Sequence, residues 1–344
     1  MQPTGQTGLF KFMKTVQVTP VDNLVGGQFV RIGYVPGRDR IVATFKARLG
    51  QAQGDCTGIF ALAYREYTLD MLETGKDNII NCYAGPDIGG LFSWDDYYYV
   101  AMGHDNVNNV DGWFLARYNA VTWTSLVEPF FYPLAAGELP DDPMTALVNG
   151  QIDISSHFKS ANEMGPGQAT HHQFFTPDLK FINKRVLSEI PHINLSSMIA
   201  INGVTNFITS TNLLGDLVVM RYDPNWNYLG MQTLKQQASA PEGVAFDGTR
   251  FYVTYVDVSS CTTIPCYENI RLAAFDSNWS LLDDIAVTDF VPGDHKAPGR
   301  PSLTLWNNRI YVCYDQNENE TFTESPETAD IQVYVKIYDL TQRP

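Results

Sequence analysis

Along most of this chain apolar and polar residues alternate in short runs, and Gly, Asn and Asp break the runs at regular intervals. The stretch from Pro241 to Trp279 shows the unit most clearly. A short apolar run leads to Asp247-Gly248, and an alternating run carries Phe251, Val253 and Tyr255. A loop with Cys261 and Cys266 follows, then a third run that ends in an Asp-Ser-Asn-Trp turn. Period-two alternation on either side of Asp-Gly predicts a tight β-hairpin, because a type I′ turn requires φ > 0 at both central residues.

The unit recurs. Its first hairpin returns around Gly37, Asp96, Asn149-Gly150, Asn202-Gly203 and Asn307-Asn308. In its second hairpin an aromatic residue precedes every turn: Tyr64, Tyr118, Phe175, Tyr222, Phe275 and Tyr338. Turns of one kind lie roughly 45 to 60 residues apart, the size of a four-stranded propeller blade. Sustained 3.6-residue periodicity is absent, and Tyr, Phe, Val, Thr and Ile are abundant. Together these predict an all-β chain.

The sixth unit has only three strands, and a spare alternating strand, Leu9 to Val18, stands at the other end of the chain. Pairing it with Ile331 to Tyr338 would complete the last blade and remove an exposed sheet edge. The expected fold is therefore a six-bladed β-propeller of four-stranded antiparallel blades, closed by the amino-terminal strand and occupying residues 1–344 as a single domain. The blades are placed at about 21–76, 77–134, 135–190, 191–237, 238–290 and 291–340, with 9–18 as the closing strand.

Composition narrows the partners. A formal net charge of -15 repels phosphate backbones and anionic headgroups, so nucleic-acid binding is not expected. No run of about 18 apolar residues is present to cross a membrane as a helix. MQPTGQTGLFKFMK lacks the apolar centre of a signal peptide, so the chain either stays inside a cell or begins after processing. An extracellular or surface-associated location is favoured. Among five cysteines, Cys261 and Cys266 flank a Thr-Thr-Ile-Pro loop that a disulfide can bridge, and the sequence leaves that bridge open. Cys82 and Cys313 sit in apolar strand contexts and read as buried thiols.

In such a ring the loops entering each innermost strand share one face with the loops joining second and third strands, and ligand sites favour such loops. At that mouth the strand register gathers Glu242, Asp257 and Asp315, with Arg300, His104, Asp105, His157, Tyr255 and Tyr314. Asp141, Asp142, His192 and His295 can join them. Paired carboxylates can serve as acid and base, or can hold a cation. An arginine can fork onto an anionic group, and tyrosines can stack or donate.

No HExxH, no Cys/His zinc spacing and no GxSxG elbow occurs. His171 and His172 would point to opposite faces of one strand and so cannot chelate together. Calcium stays open, because the rim loops are rich in hard oxygen ligands.

Two resemblances attach to these residues. PEGVAFDGTRFYVTYVD resembles the strand-entry segment of gluconolactonase-like, calcium-dependent six-bladed hydrolases, which implies a metal role for Glu242; no motif here marks that family's Asn and Asp ligands, for which Asn206 and Asp257 are the candidates. GRPSLTLWNNRIYVCYD resembles a blade of sialidase-like propellers, which implies that Arg300 holds a substrate carboxylate. The Arg-Ile-Pro opening and the SxDxGxTW box of those proteins are missing. Asp223 to Trp226 and Asp276 to Trp279 stand where that box would be, and read as turns with a packed tryptophan.

The preferred reading is recognition of a polar ligand, a carbohydrate above others, at the axial mouth, with glycoside hydrolysis as an extension. A calcium-dependent lactonase or esterase is the alternative, and a non-catalytic adhesion scaffold that binds a protein through its long rim loops is another. Whether the site catalyses is left open by the sequence.

Overall fold

The computed structural model describes residues 8–20, 24–50, 56, 60–82, 85, 87–107, 110–140, 143–158, 170–186, 192–201, 205–212, 214–259, 268–291, 294, 296–318 and 330–341. Strand β1 (Phe10–Gln17) precedes the first blade, which is β2 (Leu24–Val35), β3 (Arg40–Leu49), β4 (Phe60–Tyr67) and β5 (Glu73–Asn81). The second is β6 (Ile88–Phe92), β7 (Tyr97–Val107), β8 (Val110–Asn119) and β9 (Ser125–Pro133). In the third, β10 (Glu138–Leu139) and β11 (Thr145–Val148) share the innermost place beside β12 (Gln151–Phe158), then β13 (Thr170–Phe175) and β14 (Phe181–Val186) follow.

The fourth blade is β15 (His192–Ile201), β16 (Thr205–Asn212), β17 (Leu217–Tyr222) and β18 (Tyr228–Lys235). The fifth is β19 (Ala238–Phe246), β20 (Phe251–Asp257), β21 (Asn269–Phe275) and β22 (Leu281–Ala286). The sixth holds β23 (Ala297–Trp306), β24 (Arg309–Asn317) and β25 (Ile331–Leu340), and its fourth place is taken by β1. The pairing runs from Phe10 opposite Leu340 to Gln17 opposite Tyr334, so the ring is closed by the amino-terminal strand. The six-bladed, antiparallel architecture is as the repeats predict.

Turn chemistry explains the hairpins. Asn149 and Gly150 both have positive φ, 51° and 76°, as do Asn307 and Asn308 at 47° and 59°, which is the backbone of a type I′ turn. The Asp247 turn is built differently. Only Gly248 is left-handed (φ 98°), while Asp247 Oδ1 accepts from the Thr249 and Arg250 amides at 2.7 Å each. The Asn202-Gly203 turn lies outside the described residues.

The outer hairpins share a second device: Met71, Trp123, Leu179, Trp226 and Trp279 all adopt φ between 52° and 64°. Four of them donate the amide to the carbonyl three residues earlier, as Trp226 does to Asp223 and Trp279 to Asp276, while Trp123 donates to Asn119, four residues earlier. Asp223 and Asp276 cap their turns from the side chain, each holding two amides at 2.8 Å. Trp279 then lies flat on Phe251, with centroids 4.0 Å apart. These are the packed-tryptophan turns that the sequence predicts.

The buried apolar residues divide into six clusters, one between each pair of neighbouring blades. Burial of this apolar area drives ring formation. All six aromatic residues before the outer turns are buried. Cys82 is not a thiol: it is bonded to Cys56 across a sequence separation of 26, joining the loop after β3 to the end of β5. Their Cα atoms are 4.8 Å apart, within disulfide reach, although alternation alone suggested an isolated buried cysteine. Cys313 is a free, buried thiol whose pKa burial pushes up to about 12. Cys261 and Cys266 lie outside the described residues.

Candidate functional site on the propeller axis

The innermost strands are bulged where they pass the axis. In β2 the register slips between Gln28 and Arg31, in β19 between Ser239 and Gly243, and in β23 between Gly299 and Ser302. Each slip contains one left-handed residue: Phe29 (φ 54°), Ala240 (φ 48°) and Arg300 (φ 45°). A bulge breaks two-residue alternation and re-aims the side chains that follow it.

The bulge carbonyls are held by the preceding blade. Thr209 Oγ1 donates to Pro241 O at 3.5 Å, Thr254 Oγ1 to Pro301 O at 3.3 Å, and Cys313 Sγ to Val30 O at 3.9 Å. Gly243 is needed here, because a Cβ would stand 2.4 Å from Thr254 Oγ1 and 2.8 Å from the Leu303 amide nitrogen.

These bulges bring four charged side chains together. Arg31 Nη2 donates to Glu242 Oε2 at 2.9 Å, and Arg300 Nη1 donates to Asp315 Oδ2 at 3.1 Å. Asp315 Oδ2 also accepts from the Phe29 amide at 3.0 Å. The Arg300 guanidinium lies 4.1 Å from the Phe29 ring centroid, and Lys46 Nζ lies 5.8 Å from it. Burial, offset by Asp87 and reinforced by Arg300, pushes the Lys46 amine down to about 8.

Burial raises the pKa of Glu242, while Arg31 and Arg300 oppose that rise. Its side chain is only 4% exposed, and Oε1 has no hydrogen-bond partner among the described residues.

Below the quartet lies a cavity of about 440 Å³ that all six blades line. Glu242, Arg31, Ser197 and Ser302 stand at one end, and Tyr34, Phe92, Phe246 and Trp306 at the other. Ser197 Oγ and Trp306 Nε1 are also buried without a partner among the described residues. Tyr34 and Trp306 stack with centroids 3.5 Å apart and ring planes 15° from parallel.

Of the residues that the sequence placed at the mouth, Glu242, Arg300 and Asp315 are brought together. Asp257 is further out along the fifth blade, accepting from the Ser259 amide at 2.9 Å and lying 3.9 Å from Arg271. His104 is half-buried, edge-on to Phe114.

Tyr255 and Tyr314 are core residues rather than mouth residues. Tyr255 is packed between the fourth and fifth blades and donates to Asp284 at 2.8 Å. Tyr314 is packed between the fifth and sixth, stacked on Tyr334. The reason is geometric: alternate side chains of a second strand point into the two flanking blade interfaces, not along the axis. Burial raises both phenol pKa values.

Asp105 and His157 sit on β7 and β12, but their side chains, and that of His192, lie outside the described part. Asp141, Asp142, His295 and most of the long rim loops lie outside the described residues. His171 bonds Glu138 while His172 bonds Asp153 at 3.1 Å, so the two imidazoles do diverge. The residues missed from sequence are Arg31 and Lys46 at the charged cluster, and Tyr34, Ser197 and Trp306 in the cavity wall.

A calcium role for Glu242 does not fit. One carboxylate oxygen is tied to Arg31, and Arg300 adds a second positive charge nearby. Asp257 faces Arg271, and Asn206 donates to the Asp223 carbonyl at 3.3 Å. Among the described residues, no group of three or more His, Cys, Asp or Glu is arranged to hold a metal ion. Among the described residues no helix is long and apolar enough to cross a membrane.

No family model and no curated protein matches the chain. Solved structures do. An exo-β-1,3-galactanase from Clostridium thermocellum matches at TM-score 0.50 and 14% identity, over 74% of this chain but only 59% of that one. The catalytic domain of a GH62 α-L-arabinofuranosidase from Coprinopsis cinerea matches at TM-score 0.49 and 9% identity, over 74% and 90%. A GH43 β-xylosidase/α-arabinofuranosidase from a compost metagenome, solved with xylotriose, matches at TM-score 0.49 and 11% identity, over 79% and 97%. These neighbours are glycosidases, not the gluconolactonase-like or sialidase-like proteins that the sequence resembles. At such identities the likeness is one of fold alone.

Proposed function

We propose that the axial cavity binds a carbohydrate, with Glu242 receiving its most deeply seated hydroxyl. One observation carries this reading: Glu242 Oε1 is buried at the end of a roomy cavity and has no donor among the described residues. Leaving a buried acceptor unmet costs about 1–3 kcal/mol, which a ligand hydroxyl in that position recovers. The walls support the assignment. Ser93, Thr145, Ser197, Ser302 and Thr304 supply hydroxyls, and Tyr34, Phe92, Phe246 and Trp306 supply rings. A sugar has a hydroxyl-bearing edge and an apolar C–H face, so it suits a wall of both kinds.

Glycoside hydrolysis is the second reading, favoured by the raised pKa of Glu242, which suits a general acid. Hydrolysis also needs a second carboxyl group across the scissile bond. Asp315 is the candidate within the quartet, but it is bonded to the Phe29 amide and Arg300 and does not line the cavity. Binding is therefore the primary assignment, with Arg300 holding Asp315 and the charge balance around Glu242.

The test is a glycan array and calorimetry with xylo-, arabino- and galacto-oligosaccharides, on wild type and on Glu242→Gln and Arg300→Ala. Binding that Glu242→Gln weakens at least tenfold supports the reading. Silence across the array in the folded wild type overturns it. Reducing-sugar release that disappears in Glu242→Gln or Asp315→Asn would promote the hydrolytic reading.

A further inference from the structure

The cavity opens on the face opposite the one that the sequence favours. Its lining comes from the later halves of the innermost strands, beginning at Arg31, Glu242 and Ser302 and ending at Pro36, Phe246 and Trp306. Those last residues adjoin the hairpins that link first and second strands. Trp94 belongs to the same lining and is 69% exposed, so the cavity reaches solvent beside that hairpin. At the other end Arg31 is bonded to Glu242, while Arg300 and Asp315 lie beyond them, bonded to each other and outside the lining.

We infer that a carbohydrate enters end-on from the hairpin face, with its terminal sugar at Glu242 and the next ring on a Tyr34–Trp306 platform. The inference rests on the carbohydrate reading of the cavity. Phe246 lies four positions beyond Glu242, and Trp306 four positions beyond Ser302. At about 3.3 Å per residue the cavity is about 13 Å deep, enough for more than one sugar ring. Its two ends differ in chemistry. The deep end holds a charged pair and the unpartnered Ser197 hydroxyl, which suit a polyhydroxylated terminus.

The mouth holds two stacked rings, and the Trp306 indole N–H there is buried without an acceptor among the described residues. A buried indole N–H normally finds a partner, and a sugar oxygen at the ring edge, in the plane of the indole, would provide one. With the Arg31–Glu242 ion pair across its far end, the cavity suits the end of a glycan rather than its middle. Tyr34 and Trp306 therefore act as specificity-determining residues for chain length, and Glu242 for the terminal unit.

The experiment is a titration, followed by tryptophan fluorescence and calorimetry, of whichever glycan class the array identifies, as mono-, di- and trisaccharide. It is run on wild type, Glu242→Gln, Tyr34→Ala, Trp306→Ala, Trp306→Phe and Trp94→Ala. Wild type is expected to bind the disaccharide at least tenfold more tightly than the monosaccharide. Trp306→Ala and Tyr34→Ala should remove most of that gain, weakening the disaccharide more than the monosaccharide, and Trp306→Phe, which keeps a ring, should restore most of it. Trp94→Ala lies at an exposed position and checks the mouth without disturbing the core.

If Glu242→Gln abolishes binding while Tyr34→Ala, Trp306→Ala and Trp94→Ala all leave the length dependence intact, the ligand enters elsewhere. The entry inference is then overturned and the carbohydrate reading stands. If no glycan binds to folded wild type, the carbohydrate reading itself fails, and this inference with it.

Discussion

Arg31 of the first blade and Glu242 of the fifth are joined by a 2.9 Å ion pair although 211 positions separate them in the chain. The contact reaches past the sixth blade, so it ties together blades that share no sheet. Both side chains are largely buried, at 14% and 4% exposure. Removing one partner of such a pair strands the other charge in a poorly solvated place. Glu242→Ala should therefore lower unfolding stability by about 3 kcal/mol. Glu242→Gln keeps an acceptor for Arg31 without the desolvated charge and should cost clearly less. Urea titration of the three proteins measures both, and unfolding stabilities equal to wild type in both variants would show that the pair does not matter to stability.

At Gly243 the backbones of the fifth and sixth blades approach closely. A methyl group there meets backbone, with the Leu303 nitrogen at 2.8 Å and the Ser302 carbonyl carbon at 3.1 Å, so no rotamer change relieves it. Gly243→Ala should cost about 2–3 kcal/mol, as overpacking does. At Gly150 the same change meets nothing within 4 Å, and only its left-handed φ of 76° is penalised. Gly150→Ala should cost about 1 kcal/mol. A reversed order in thermal melts would contradict the blade spacing described here.

Acid should weaken the third blade first. Burial tends to raise the pKa of Glu138, but hydrogen bonds from His171, Lys184 and the Ala135 amide outweigh it and bring the carboxyl from 4.5 to about 2. A carboxylate with a depressed folded-state pKa contributes stability that is fully present above its unfolded value. That contribution is lost as pH falls from about 4.5 towards 2. Glu138→Gln should be less stable than wild type at neutral pH, with the difference shrinking through that window. Parallel stability curves for the two proteins from pH 7 to 2.5 would refute this.

The Cys56–Cys82 bond closes a loop with a sequence separation of 26. Loop-closure entropy makes such a link worth about 3–4 kcal/mol through the unfolded chain. A reductant should therefore lower the melting temperature of wild type but leave a Cys56→Ser, Cys82→Ser double variant unchanged. If wild type and the double variant melt together before reductant is added, the link contributes nothing.

The architecture was legible because each level of the sequence agrees with the next. Asn149-Gly150 and Asn307-Asn308 carry the turn backbone that their residue types demand, and the aromatic residues before the outer turns are all buried. A further signal went unread. Met71, Leu179, Trp226 and Trp279 stand three residues after a Thr or Asp, Trp123 stands four after Asn119, and each takes the left-handed position of its turn.

The site was only half legible, and the bulges are the reason. Alternation carried along β2 gives no hint that Arg31 meets Glu242, because the slip between Gln28 and Arg31 resets which side chains face the axis. Alternation also misdirected Tyr255 and Tyr314, whose strands are regular but point into blade interfaces. Cys56 and Cys82 meet through a fold-level approach of the ends of two strands, which no spacing rule encodes.

The pairing of Phe10 with Leu340 sets an order of events during synthesis. Strand β1 is made well before β25 and has no sheet to join until β25 leaves the ribosome. Through that interval Phe10–Gln17 is a detached segment, and β25 arrives with a bare edge that only it is shaped to cover. Contacts of such long sequence separation form slowly, and uncovered strand edges invite other chains. A second nascent chain could donate its own β1 at that moment, so crowded expression should yield strand-exchanged dimers in which each ring is latched by its neighbour.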